Sequence, residues 1–416
     1  MSEEPRTTLT DVYTRPDWVR RIVSMGESIG DPRELVALDA DELVSAATRS
    51  TGLDDFGPED WHEPFRKLVT ALDTEARLHV LGRVLCRHDL LRHLCTRLRV
   101  LDAVRGDPSI AAETIVAPIV VTGPARSGTS ILQELLAQDP QLRSPLAWEM
   151  AYPTHARGNT APQAWAQSEF DLWGDVQPEF LAIHELDARL PEECLWLLAP
   201  EFDVGFWSTC TDIPSWFAWR AGTDPIPAYR FHQTMLQTLQ HGTEPRSWAL
   251  KSPVHLGRLA TLFAVYPDAR VIHTHRDPAK TVPSSASTVY AARWLRSDAV
   301  EPLATGATIG IGLQHILNGT ATSRAQGTLP ENQFVDVHYV DLLRAPVAAL
   351  RHTYEQLGLP FDDDLTARVL GYLDARPQHK FGTHRYRAED FGLDIDDIRR
   401  RFAPYVDHYG IEPEPT

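Results

Sequence analysis

Eight consecutive residues, Gly123-Pro124-Ala125-Arg126-Ser127-Gly128-Thr129-Ser130, have the types and spacing to hold an anion. They follow an apolar, β-branched run from Ile115 to Val121, broken only by Pro118, which reads as a buried strand. After them, Ile131, Leu132, Leu135 and Leu136 share one helical face, and Pro140 ends the pattern. A strand, a glycine-spaced loop and a helix aim several backbone N–H groups at one place, and the helix N-terminus adds about half a positive charge. The stretch therefore predicts a phosphate cradle. Its glycines fit G-x-x-x-x-G-K-[ST], but Thr129 stands where that pattern has the lysine that reaches the β- and γ-phosphates. This argues against a nucleotide kinase. The loop carries its own cation, Arg126.

Two further cations fall at the ends of predicted strands. Trp248-Ala249-Leu250 runs into Lys251-Ser252-Pro253, and Arg270 to Thr274 runs into His275-Arg276-Asp277-Pro278. A fourth strand is expected from Phe334 to Tyr339. Helices are expected at 255–264, around Ser284, and at 346–357. Strands alternating with helices imply right-handed crossovers and a parallel sheet. The predicted fold is α/β, a P-loop-type central parallel sheet flanked by helices, with an N-terminal helical cap. Ligands of such sheets gather at the carboxyl ends of the strands, where Arg126, Lys251 and Arg276 fall.

The elements that position these residues extend to both sides. Residues 1–113 read as a helical extension: Leu35, Leu38 and Leu43 mark one helix, Phe65, Leu68, Val69 and Leu72 another, and Leu78 to Leu98 a longer pair. Residues 114–416 form the α/β domain, with a helical, aromatic-rich insertion at about 151–245. Within it, Leu186 to Leu198 reads as a helix opened at Pro191, with Glu192 and Glu193 in its first turn. The belt Phe202, Phe206, Trp207, Trp216, Phe217, Trp219, Tyr229 and Phe231 is either helical core or the wall of a pocket for an apolar acceptor.

Composition narrows the partners. A net charge of −17 without a long basic run excludes nucleic acid, so an anionic ligand must meet a local cluster of cations. Lys251 is one of only four lysines. The four cysteines, Cys86, Cys95, Cys194 and Cys210, form no C-x-x-C pair and suggest neither a zinc site nor a disulfide framework. The polar, acidic start is no signal peptide, and no apolar run approaches the length of a membrane span. The expectation is a cytoplasmic protein, with homo-oligomers allowed.

Together these motifs resemble the sulfotransferases that use 3′-phosphoadenosine 5′-phosphosulfate (PAPS), above all the actinobacterial branch with an N-terminal helical extension. The first motif, P-[KR]-S-G-T-[TS], is matched by Arg126-Ser127-Gly128-Thr129-Ser130, with Ala125 inserted after Pro124. The second is an arginine at a strand end with a serine eight residues on, here Arg276 and Ser284. Lys251 matches a strand-end lysine. Tyr339-Val340-Asp341-Leu342 matches a Y-x-D-L segment, with Val340 in place of the usual glutamate. The resemblance spans about residues 115–360. It implies that Ser127 to Ser130 bind the 5′-phosphate, that Arg126 and Lys251 steady the charge of the transferring group, and that Arg276 and Ser284 bind the 3′-phosphate. Tyr339 would lie by the adenine. No metal is implied, and the acceptor would be a hydroxyl or amine of a small molecule or lipid.

Transfer to such an acceptor calls for a general base. Glu149, twenty-three residues past Arg126, lies near a catalytic glutamate of the tyrosylprotein sulfotransferases. Glu192 and Glu193 form L-P-E-E-C, a motif style of the bacterial branch. His255 follows Lys251 by four residues, against two for the catalytic histidine of cytosolic sulfotransferases. The competing readings are a P-loop kinase-like enzyme and an inactive nucleotide-binding scaffold of the same fold.

Overall fold

The computed structural model describes residues 9–155, 161–244, 246–376 and 384–415. Five strands, β1 (Ile119–Thr122), β2 (Leu142–Arg143), β3 (Ser247–Lys251), β4 (Arg270–His275) and β5 (Phe334–His338), pair in parallel in the order β2-β3-β1-β4-β5. Val121 of β1 is level with both Lys251 of β3 and Ile272 of β4. The three cation-bearing strand ends therefore emerge along one edge of the sheet. β1 starts at Ile119 and not at Ile115, because the chain turns at Ala117 (φ 41°) with its N–H on Asp268 at 2.7 Å, and Pro118 has no N–H to pair. β5 stops at His338, and Tyr339 opens a short helix, Tyr339–Arg344.

Apolar residues fill both faces of the sheet. One core joins Leu43, Phe65 and Leu94 from the N-terminal helices to Val120 and Leu250 of the sheet and to Trp207. The other packs Val121, Ile272 and Val337 against Leu136 and Tyr354 of the helices Thr129–Leu136 and Pro346–Leu357. The run Leu78 to Leu98, expected as two helices, is one of 27 residues, Val80–Gly106. It contains no proline, and His79 Nδ1 caps its start by accepting from Gly82 N–H at 2.8 Å. Its buried charges reach far along the chain: Arg97 pairs with Glu201, and Asp89 with Arg296 at 3.0 Å. The expected helix 255–264 is a 3₁₀ turn, Pro253–Arg258, followed by Leu259–Val265. Ser284 lies on Pro278–Trp294. Among the described residues no helix is long and apolar enough to cross a membrane.

The contact between the long N-terminal helix and the rest of the protein is tight at Gly82, where an added Cβ would lie 2.0 Å from the backbone oxygen of Arg296. Alanine for glycine in a helix normally stabilises by about 0.5–1 kcal/mol. At Gly82 the sign should reverse, with a loss of about 1–3 kcal/mol in urea unfolding from overpacking against backbone. Gly312→Ala is the control, because its Cβ meets nothing within 4 Å, and it should stabilise. Equal gains at both positions would show that the long helix does not press on Arg296 in solution.

Candidate active site

The loop after β1 is built on two left-handed residues, Arg126 (φ 70°) and Gly128 (φ 86°). At Gly128 a Cβ would also come within 2.9 Å of the Tyr339 ring, so glycine serves both the dihedral and the space. Ser127, between them, is fully buried. Its hydroxyl bonds Thr274 Oγ1 of β4 and Pro124 O, both at 2.6 Å, which latches the loop to the neighbouring strand. The Ser127 N–H closes a turn onto Pro124 O at 3.2 Å. The amides left to meet an anion belong to the first turn of helix Thr129–Leu136, which has no intrahelical acceptors for them.

Lys251 ends β3 with its ammonium buried. Its Nζ donates to Glu193 Oε1 at 2.8 Å and to Ser130 Oγ at 3.3 Å, and Ser252 Oγ donates to Glu193 Oε2 at 3.1 Å. Burial alone would lower the lysine pKa, but Glu193 and Glu192 outweigh it and hold Lys251 charged. Glu192 and Glu193 do not lie in a helical first turn as expected. Neither is helical, and the helix begins only at Leu195–Leu198. The reason is main-chain bonding: Leu146 bridges Pro191, Glu192 N–H donates to Pro145 O, and Cys194 N–H donates to Lys251 O. Glu192 is buried, with Oε1 accepting from Glu193 N–H at 2.8 Å and Oε2 facing His184 Nε2 at 2.9 Å. Burial opposes its ionisation, but His184 and Lys251 outweigh that and depress its pKa to about 2. In return, Glu192 more than offsets burial at His184 and raises its pKa.

Arg276, after β4, sits over the Tyr339 ring with its guanidinium carbon 4.0 Å from the centroid, and donates to Arg126 O at 2.7 Å. Its Nε and Nη2 grip both oxygens of Glu414 at 2.8 and 2.9 Å. The Glu414 N–H in turn donates to Asp277 at 2.8 Å. A carboxylate of the chain itself thus occupies a planar, two-toothed anion clamp. Ser284 is buried on the helix that begins just beyond, at Pro278.

Beside the loop is a cavity of about 190 Å³. Arg126, Thr129, Ser130, Glu192, Glu193 and His184 line it together with the aromatic rings of Phe170, Trp173, Phe180, Trp196 and Phe206. Arg126 Nη1 donates across this space to Ile183 O at 2.8 Å. Of the aromatic belt, Phe202, Trp207 and Trp216 are core, Phe217 is exposed, and Phe206 alone reaches this cavity. The other aromatic walls come from Phe170, Trp173, Phe180 and Trp196. These, with His184 and Glu414, are what sequence reasoning missed. The Phe170/Trp173 spacing of i, i+3 was an available signal, whereas His184 and Glu414 stand in no motif.

Two proposed bases are not brought to this cavity. Glu149 accepts from Arg143 at 2.8 Å and caps its own short helix through Leu146 N–H at 3.0 Å, so its carboxylate faces a different cleft lined by Trp148 and Tyr152. His255 is turned into the core by the Pro253–Arg258 turn. Its Nδ1 meets Tyr229 OH at 2.8 Å, and burial depresses its pKa to about 3. It shares a buried cluster with His232 and Cys194 in which burial holds both rings and the thiol neutral.

A family model described as the sulfotransferase family matches residues 118–363. The sulfotransferase STF1 of Mycobacterium tuberculosis is 30% identical with a TM-score of 0.77, covering 88% of this chain and 99% of that one. STF9 of Mycobacterium avium is 26% identical with a TM-score of 0.82, covering 91% of this chain and 98% of its own. A curated relative of Mycobacterium tuberculosis, omega-hydroxy-beta-dihydromenaquinone-9 sulfotransferase Stf3, is 23% identical over 325 residues, 73% of this chain and 79% of its own length. The same protein of Mycobacterium bovis matches equally.

The His184–Glu192 pair sets a pH dependence of stability. The depressed Glu192 contributes stability that is present above its ordinary value of 4.5 and is lost as pH falls toward 2. The raised His184 contributes stability that is present below 6.5 and is lost as pH climbs through its folded value. The difference in urea unfolding between wild type and Glu192→Gln across pH should therefore carry both slopes. Parallel curves for the two proteins would mean that the pair is not formed in solution.

Proposed function

The chain belongs to the sulfotransferase family, and we propose that it transfers a sulfuryl group from PAPS to a hydroxyl of an apolar, lipid-like acceptor. The observation that carries this reading is the shared cavity, lined both by the loop's cation and first-turn residues and by aromatic rings. Such a space brings an anionic donor and an apolar acceptor together. The name of the curated relative, a menaquinone derivative with a terminal hydroxyl, agrees with that acceptor class.

On this reading the first-turn amides after Gly128 hold the 5′-phosphate, and Arg276 holds the 3′-phosphate. The fit of Arg276 is supported by Glu414, whose carboxylate already sits on the fork where a phosphate would. Tyr339, under the guanidinium, offers its face to the adenine side, and Ser284 a hydroxyl to the 3′-phosphate. Sulfuryl transfer resembles phosphoryl transfer: positioning and charge stabilisation supply most of the rate. Arg126 and Lys251 are the cations for that charge. The aromatic wall excludes water, which would otherwise compete with the acceptor.

Two experiments test this. The desulfated product, 3′,5′-adenosine bisphosphate (PAP), should bind in excess EDTA. Arg276→Ala should weaken it by about 1.5–3 kcal/mol, ten- to a hundredfold, while AMP binding barely moves. Glu414→Gln, which removes the competing carboxylate, should tighten PAP. Equal weakening of PAP and AMP by Arg276→Ala would assign that residue to the fold or the 5′-phosphate.

The second concerns Lys251. Lys251→Ala should lower kcat by two or more orders of magnitude, on the order of 3 kcal/mol, with PAP affinity little changed, because PAP has no sulfuryl group. PAP affinity falling in step with activity would place the lysine in nucleotide binding.

A further inference from the structure

We propose that His184, oriented by the buried carboxylate of Glu192, takes the proton from the acceptor hydroxyl. The proposal rests on the sulfotransfer reading above and names the base within that site.

The carboxylates at the cavity are already committed. Glu193 gives one oxygen to Lys251 and the other to Ser252. Glu192 gives one oxygen to the Glu193 N–H and the other to His184, and only 7% of the residue is exposed. Every oxygen of the two carboxylates thus already accepts a hydrogen bond or faces His184. His184 differs: it lines the cavity, and a third of its side chain (33%) is exposed. With Nε2 held on Glu192, the other ring nitrogen, Nδ1, is left without a partner among the described residues. The ring is also well placed along the chain. The preceding carbonyl, of Ile183, receives Arg126 of the donor loop, and the His184 N–H is fixed to Phe180 O at 3.0 Å. The imidazole thus sits where the donor loop meets the aromatic wall.

The step balances within this geometry. The acceptor oxygen bonds to sulfur as the bond from sulfur to the bridging phosphate oxygen breaks, and that bond's electron pair stays on PAP. The hydroxyl proton passes to Nδ1 of neutral His184, and Glu192 stabilises the imidazolium that results. Glu192 is the positioning residue and His184 the catalytic one. The charged groups around the ring are Glu192 and Glu193, which favour its protonation, and Lys251, which opposes it. Arg126 lines the same cavity and donates to the Ile183 carbonyl, and neighbouring Glu185 is paired with Arg376. Because the pair raises the imidazole pKa, kcat should climb with pH on a limb lying above the ordinary histidine value of 6.5.

The test uses PAPS with two probes, a long-chain primary alcohol and a terminally hydroxylated menaquinone analogue, alongside PAP calorimetry on the same proteins. His184→Asn should lose about 100- to 1000-fold in kcat, keep PAP affinity within about twofold of wild type, and lose the limb. Glu192→Gln should move the limb to lower pH. It also carries the test should His184→Asn fail to fold. Failure of the wild type to bind PAP would sink the donor reading itself. Wild type that binds PAP but sulfates neither probe overturns the acceptor reading and this assignment with it. A His184→Asn enzyme within about tenfold of wild type, an unmoved limb in Glu192→Gln, or a kcat that falls as pH rises overturns the base assignment alone.

Discussion

The arrangement depends on the ion pair between Lys251 and Glu193. An ammonium with 1% of its side chain exposed cannot be left alone, because breaking a buried pair costs about 3–5 kcal/mol. Glu193 must therefore be delivered to the end of β3, and the chain that delivers it cannot be helical. The segment Pro191–Cys194 is tied by Glu192 N–H to Pro145 O and by Cys194 N–H to Lys251 O, and Glu193 between them meets the lysine. That same stretch places Glu192 on the opposite side, facing His184. One charge requirement at a strand end thus fixes both acidic residues, the histidine, and the turn into Leu195–Leu198 from which Trp196 reaches the cavity.

A second consequence concerns the charge balance of the site. The protein carries a net charge of −17, and each cation at the sheet edge already has a partner from the chain: Glu193 on Lys251, Glu414 on Arg276, and the Ile183 carbonyl on Arg126. Desolvated cations at a preorganised site need such partners before a ligand arrives. The partners differ in how readily they can yield. Glu414 comes from the end of the described chain, downstream of the last helix, Ala403–Tyr409, and is bound by one clamp and one N–H. Glu193 is built into the wall by backbone bonds on both sides. On the proposed function the first would give way to the 3′-phosphate, and the second would be shared.

Much of this was legible in the residues. The parallel sheet followed from apolar runs closed by Gly, Pro or a cation, and Arg126, Lys251 and Arg276 do stand along one edge of it. Strand ends were misjudged where a single residue overrides the pattern, as at Pro118 and Tyr339. The long helix Val80–Gly106 was split because a leucine pattern marks faces and not breaks. The acidic candidates could not be ranked from spacing. Glu149 and Glu193 are both acidic and near the loop, and only the third dimension shows that Arg143 takes one and Lys251 the other. His184 and Glu414 were invisible because neither stands in a motif itself; each meets a motif residue, Glu192 and Arg276, only once the chain is folded.

The missing lysine of the loop also finds its explanation in the sheet. In a Walker loop the residue after Gly is a lysine, and the hydroxyl that follows it ligates Mg²⁺. Here those positions are Thr129 and Ser130. The Ser130 hydroxyl accepts from the ammonium of Lys251, which arrives from the neighbouring strand β3. One lysine therefore stands in for two features of the nucleotide-triphosphate loop: it supplies the cation absent from the loop, and it occupies the hydroxyl that would otherwise face the metal. A divalent ion placed at Ser130 would meet a charged, buried Lys251 within a few ångströms, at a cost that a low-dielectric site does not relieve. This arrangement fits the proposed donor, whose reacting end is one phosphate bonded to one sulfuryl group. Such a donor needs compact fixed cations, and it has no β–γ-phosphate pair for a metal to bridge.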